Sequence, residues 1–250
     1  MLRYGMSLDV VDLRSFYVHP LGKVARRFVG VGIRRLWTGS KGLRVLGIGY
    51  STPYLGLFRE DAERCLAFMP ATQGVVKWPT LRPTLAALVD ETELPLPDAA
   101  VDRILFVHAL EMTHDAPALL REVWRVLAPG GRLLAVVPNR RGLWARMDTT
   151  PFGHGRPYSR SQITQLLRQT WFTPTAWSEA LFMPPVAGGW FLRSAMAWEQ
   201  VGAALSLPFA GVHIVEATKQ VYRAIPAHRE RTRLIPALPP VLVPTSTATG

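Results

Sequence analysis

Apolar residues recur along this chain in two rhythms. From Leu8 to Trp37 the spacing is helical: Val10, Val11, Leu13, Phe16 and Tyr17 share a face, Pro20-Leu21-Gly22 interrupts it, and Val24, Phe28, Val31 and Leu36 resume it. From Leu43 onward, short apolar runs alternate with helical segments, the pattern of a parallel sheet with helices on its faces. Strands are expected over Leu43–Gly49, Cys65–Met69, Thr84–Val89, Arg103–His108, Arg132–Val137, Thr175–Phe182 and Gly211–Lys219. Helices are expected over Pro53–Arg64, Ala116–Leu127, Ser161–Thr170 and Trp190–Leu205. Pro129-Gly130-Gly131 is expected to stop the 116–127 helix, because proline cannot continue it and glycine tolerates the reversing turn. The organisation that follows is an N-terminal helical extension (1–42), a main α/β domain (43–222) with a helical insertion near 188–207, and a Pro-rich tail (223–250) whose composition cannot bury a core.

Composition narrows this picture without changing it. With 48% hydrophobic and 19% charged residues, the 250-residue chain can fill a sizeable core. No apolar run is long enough to span a membrane; Val186 to Val215 comes closest, and Arg193, Glu199 and Pro208 interrupt it. Arg3, Asp9, Asp12 and Arg14 break any signal-peptide core, and the lone Cys65 leaves no partner for a disulfide or a multi-cysteine zinc site. A reducing cytoplasm is the simplest location, with peripheral contact to a membrane as an extension of it. The net charge of +11 favours anionic partners. Lys23, Arg26, Arg27, Arg34 and Arg35 form a basic helix face that could rest on an anionic surface, or be an ordinary solvated face. Nucleic acid is the less favoured partner, since the chain has no appendage of interleaved aromatics and glycines.

In open α/β sheets, ligands sit beyond the carboxyl ends of the strands near the point where strand order reverses. That singles out Gly49 to Pro53, Met69 to Gln73, Asp90 to Thr92, His108 to His114 and the chain from Asn139. Several ordered motifs occupy these places. Asp90-Glu91-Thr92-Glu93-Leu94-Pro95 is followed by Val101-Asp102 and then by Arg125-Val126-Leu127-Ala128-Pro129-Gly130-Gly131. This succession resembles the type 11 class I S-adenosylmethionine-dependent methyltransferases, over Leu43 to about Trp177. The resemblance implies a Rossmann-like seven-stranded, mostly parallel sheet with helices on both faces, S-adenosyl-L-methionine as cofactor, and a small-molecule or lipid-like acceptor. It places cofactor contacts at Gly47, Gly49, Tyr50, Ser51, Asp90 and Glu91. It also places His108 opposite the transferable methyl group, where it would align or deprotonate an acceptor. A packed, hydrogen-bonded histidine is the alternative there, as a simple loop cap is for Asp90. Glu111 and Tyr158 are further pocket candidates, and Phe152 to Ser159 resembles the family's substrate-side region. The histidines show no metal-ligand spacing, so no metal is expected.

Two places depart from the family pattern. Gly47 stands where the family has an acid, and Ser51 and Pro53 replace two of three loop glycines. A Ser51 held at an unusual φ would cost about 1 kcal/mol or more; Thr52 as N-cap and Pro53 as the first helical residue would still start a helix. After the second strand, Phe68-Met69-Pro70-Ala71-Thr72-Gln73 lacks the carboxylate that would accept hydrogen bonds from the ribose, with Gln73 the nearest polar group. Charge-assisted hydrogen bonds contribute about 1.5–3 kcal/mol each, so the loss corresponds to roughly 100-fold in affinity. The alternative to an enzyme is therefore a methyltransferase-like scaffold or regulatory protein that has lost the cofactor.

Overall fold

The computed structural model describes residues 8–186, 188–204 and 209–221. A seven-stranded sheet runs in the order β3-β2-β1-β4-β5-β7-β6. Its strands are β1 (Arg44–Gly49), β2 (Arg64–Pro70), β3 (Ala86–Val89), β4 (Val101–Val107), β5 (Leu127–Pro138), β6 (Phe172–Ala180) and β7 (Val212–Lys219). All neighbours pair in parallel except β7, which runs antiparallel to both β5 and β6. The expected sheet is present.

Alternation along the strands splits the core into two layers. Val45, Ala67, Leu105, Val107, Leu134 and Ile214 face one side, packed by α1 (Val10–Val18), α2 (Pro20–Leu36) and α3 (Thr52–Leu55). Leu46, Ile48, Ile104, Phe106, Leu133 and Val215 face the other, packed by α4 (Ala116–Val126) and α5 (Arg160–Gln169). The sixth helix, α6 (Gly189–Ala204), touches α2 and β6. At the amino end, Arg44 pins β1 to β4: its backbone N–H and guanidinium reach both Asp102 carboxylate oxygens at 2.9 Å.

Several boundaries differ from the sequence expectation. The helix expected from Pro53 to Arg64 lasts only from Thr52 to Leu55 and continues as turns. Its N-cap is Ser51, one residue earlier than expected, with an ordinary φ of −87°, so the serine is unstrained. α4 ends at Val126, before the proline; Leu127 is already extended and pairs with Val101. Pro129-Gly130-Gly131 therefore lies within β5, where the pairing with β4 shifts register and Gly130 takes a φ of +72°. A bulge, not a helix stop, explains the motif. β6 begins at Phe172 and ends at Ala180, two to three residues before the expected span. The tail beyond residue 221 lies outside the described residues.

The N-terminal segment breaks at His19, and Pro20 opens α2. A side chain at Gly22 would run into the Phe16 carbonyl, so the corner is tight and α1 folds back over the carboxyl edge of the sheet. No helix among the described residues is long and apolar enough to cross a membrane.

Candidate functional site

Chain connections leave β1 and β4 in opposite directions across the sheet, which makes their shared carboxyl end the switch point. Gly49 ends β1 opposite Val107, the last residue of β4. Gly49 has a φ of +76°, and a side chain there would meet the Val107 and His108 carbonyls and Ala109. Only glycine suits this turn.

His108 follows β4 with a φ of +51°, a left-handed conformation that strains a non-glycine residue. It is fully buried. Its Nδ1 lies 3.1 Å from Glu111 Oε1, and its Nε2 lies 3.0 Å from the Tyr17 hydroxyl. Tyr17 in turn accepts from the Tyr54 hydroxyl at 3.3 Å. Burial, with the neighbouring Tyr54 next in effect, pushes the Tyr17 phenol well above its usual range, so it stays protonated. Glu111 is also buried, and its Oε2 has no hydrogen-bond partner. The result is a line of groups, Tyr54–Tyr17–His108–Glu111, with aromatic walls. Phe152 lies against the imidazole (4.8 Å between ring centres), and Tyr50 stacks on Tyr17 (5.7 Å, 29° between planes).

The segment 152–158 holds this line in place. Arg156 N–H donates to the Glu111 carbonyl at 2.7 Å, and the Tyr158 hydroxyl donates to the Leu110 carbonyl at 3.1 Å. Tyr158 thus supports the turn that carries Glu111. On the opposite side, Gln73 reaches over the end of β1, donating its amide to the His108 carbonyl at 2.5 Å. Val10 N–H donates to the Gln73 carbonyl at 2.7 Å, tying α1 down.

The expected cofactor residues are scattered around this closed centre. Gly47 and Ser51 are one feature: a side chain at Gly47 would collide with Ser51 Oγ. The hydroxyl occupies the space an acid at 47 would need, and it is buried without a partner. Tyr50 is buried against Tyr17, so both sides of the turn are covered by the chain itself. Asp90 is exposed and bonds Thr92 through both its hydroxyl (2.7 Å) and its N–H (2.8 Å), which holds its carboxyl below the usual range. Glu91 bonds the Thr113 hydroxyl, while burial raises its pKa. Asp90 and Glu91 follow β3, and the Glu91 bond to Thr113 ties that loop to the turn after His108. Sequence reasoning missed Tyr17 as a member of the site, since in the chain it is only another apolar-face residue, whereas Phe152 falls in the segment 152–159 expected on the substrate side.

Residues 29–135 match the family model for a methyltransferase domain, and the strand order and switch-point geometry accord with it. Residues 29–135 thus resemble the methyltransferase domain of that family. A Mycolicibacterium smegmatis protein, named a probable S-adenosylmethionine-dependent methyltransferase, is 39% identical over 82 residues, 32% of each chain. The chain thus spans about a third of that relative's length. The demethylmenaquinone methyltransferase of Beutenbergia cavernae is 29% identical over 92% of this chain and 95% of its own. Among solved structures, an S-adenosylmethionine-dependent methyltransferase from Thermotoga maritima superposes with a TM-score of 0.62 at 16% identity, covering 84% of this chain and 96% of that one. The [4+2]-cyclase SpnF superposes at 0.53 with 20% identity, covering 79% and 82%. Methyltransferase architecture is thus shared with a protein named for a different reaction.

The Mycolicibacterium smegmatis relative is named for its dependence on S-adenosylmethionine. The residues of this chain match that cofactor unevenly. The backbone cradle at Gly49 is kept, and the Asp90 turn is exposed. Met69, where the ribose carboxylate would stand, is buried in the core with its sulfur accepting from Val76 N–H at 3.4 Å. Tyr17 and Gln73 cover the space between. The Gly49 turn fits the cofactor, while Tyr17 and Gln73 hold the His108 end of the same edge covered.

Proposed function

We propose that this chain transfers a methyl group from S-adenosylmethionine to a small-molecule or lipid-like acceptor, with His108 aligning the acceptor and taking up its proton. The observation that carries the reading is the buried His108, oriented on Nδ1 by Glu111 and presenting Nε2 to a hydroxyl at 3.0 Å. A carboxylate behind an imidazole selects its tautomer and stabilises the proton it receives. In this reading the backbone at Gly49, Tyr50 and Ser51 borders the methionine end of the cofactor, with Gly47 contributing the room that Ser51 fills. Asp90 and Glu91 border the adenine end. The bound cofactor supplies an electrophilic methyl group; the chain supplies alignment, exclusion of water and a proton acceptor.

The experiment is a calorimetric titration of S-adenosylmethionine into the natural protein and into Tyr17→Ala. Affinity scales with the fraction of molecules whose site is open. Tyr17→Ala is therefore expected to bind at least fivefold more tightly than the natural chain. Absence of heat from both proteins at millimolar cofactor would overturn the reading.

A second reading rests on the same closure: a methyltransferase-like scaffold whose site is permanently filled by α1. Its mark would be failure of Tyr17→Ala to gain cofactor binding. On the outside, Lys23, Arg26, Arg27, Arg34 and Arg35 are all exposed on α2. This is the surface proposed for an anionic partner. Cosedimentation with phosphatidylglycerol vesicles that falls steeply with salt is the expected outcome.

A further inference from the structure

A groove runs along the exposed side of α5, at the edge of the sheet opposite His108. Trp171 and Gln220 line one end of it, just before β6 and just after β7. There Phe172 pairs with Lys219, and the neighbouring Thr218 pairs with Arg132 in the early part of β5. This is the amino edge of the parallel strands, whereas His108 follows the carboxyl end of β4. The groove has a volume of about 920 Å³, within the span of small-molecule sites. Arg160 and Arg168 line it with hydroxyls and amides, and among the described residues no acidic side chain does. Eight helical residues separate the two arginines, about 12 Å along the axis. The Arg160 guanidinium is held over Trp177, 4.6 Å from its ring centre, and Arg168 is exposed.

Trp171 is an independent observation. It follows Thr170, the C-cap of α5, and has a φ of +61°. Helix ends usually give this left-handed place to glycine, and a bulky side chain is strained in it. Burial does not offset the strain, because Trp171 is 53% exposed. The residue is nevertheless firmly placed. Its N–H donates to the Arg168 carbonyl at 3.3 Å, and its carbonyl accepts from Gln220 N–H at 2.9 Å. Its indole meets Trp124 edge-on at 5.7 Å. Trp124 is anchored in turn: its Nε1–H donates to the Gln220 carbonyl at 3.1 Å, and Lys219 Nζ lies 4.1 Å from its ring centre. A fixed, half-exposed indole thus stands where glycine would be unstrained, at the end of a groove lined by cations. Strained residues of this kind gather where a chain binds something.

We propose that this groove binds a phosphorylated nucleoside, with its base stacked on Trp171 and its phosphate on Arg168. Arg160 is placed for a further phosphate along a single strand. An indole face accepts any base, and a guanidinium fork matches phosphate oxygens. The net charge of +11 draws such an anion to the surface. The site is separate from the methyl-transfer reading and stands or falls without it.

The test titrates the full chain by calorimetry with uridine monophosphate, a uridine hexanucleotide and an abasic hexamer carrying the same phosphates. Uridine avoids the adenine that a methyl-donor site would take. The hexanucleotide is expected to bind about fivefold or more tightly than the abasic hexamer, and Trp171→Gly to remove that difference. Arg168→Ala is expected to weaken the hexanucleotide and to reduce its log affinity–log salt slope by about 0.7, one phosphate's share on a single strand. Arg26→Ala/Arg27→Ala, on α2, is expected to leave the preference for bases intact. Tighter binding of the hexanucleotide than of the monophosphate supports a strand as the natural ligand; equal affinities support a free nucleotide. Equal binding of the hexanucleotide and the abasic hexamer, an unchanged preference in Trp171→Gly, or no binding at all overturns the proposal. Glycine suits the backbone at position 171, so that variant keeps the fold; Trp171→Asn, which tolerates the same φ, repeats the comparison with the same outcomes deciding.

Discussion

Gly47 and Ser51 make a pair whose members constrain each other. Adding a methyl group at Gly47 alone drives it into Ser51 Oγ, whereas Ser51→Ala only removes a buried hydroxyl that has no partner. Gly47→Ala is therefore expected to lose about 2 kcal/mol, and Gly47→Ala/Ser51→Gly to recover about half of it, as a chemical-denaturation double-mutant cycle would measure. Ser51→Ala is expected to be neutral or slightly stabilising. Gly49→Ala meets both a blocked space and a positive φ, so a loss of about 3 kcal/mol is expected in the same assay. Glu199 gives a pH signal. Burial pushes its carboxyl up to about 7, although it accepts the Phe182 N–H at 2.8 Å. The folded state thus keeps a proton that the unfolded chain releases near the ordinary 4.5. Its contribution is complete below about 4.5 and is lost as pH rises through 7. Between pH 5 and pH 8, the thermal midpoint of the natural protein is expected to fall more than that of Glu199→Gln.

Elements were legible where burial is one-sided and long. The five parallel strands and their order of appearance follow from apolar runs such as Val45 to Gly49 and Ile104 to Val107, which only a sheet buried on both faces explains. Short-range chemistry misled in two places. Proline-glycine at 129–131 suggests a helix stop, yet pairing of Leu127 with Val101 already claims the chain for β5. The segment after Leu55 has helical spacing but breaks into turns. Of the candidate site, His108 and the Gly49 turn could be placed from strand ends alone. Tyr17 could not: it meets His108 across 91 residues, and nothing local distinguishes it from other apolar-face positions. Arg125 shows how α4 organises the loop after β3. It donates to the Leu96 carbonyl (2.9 Å) and the Leu94 carbonyl (3.1 Å) and pairs with Glu122 and Asp98. Arg125→Ala is expected to speed amide exchange over residues 91–100 at least tenfold, with smaller change in the sheet.

For the molecule as a whole, the sheet is a rigid platform and α1 a short strap laid across its functional edge. The two halves of the core are contributed by different helices, and α1 belongs to the half that contains the site. The corner at His19 and Gly22 joins the strap to α2. This has a kinetic consequence. If ligands enter only after the strap lifts, stopped-flow rates must level off as concentration rises, at the frequency with which the free protein opens. Chemically unrelated ligands would then share one plateau, a ceiling belonging to the chain and not to anything it binds.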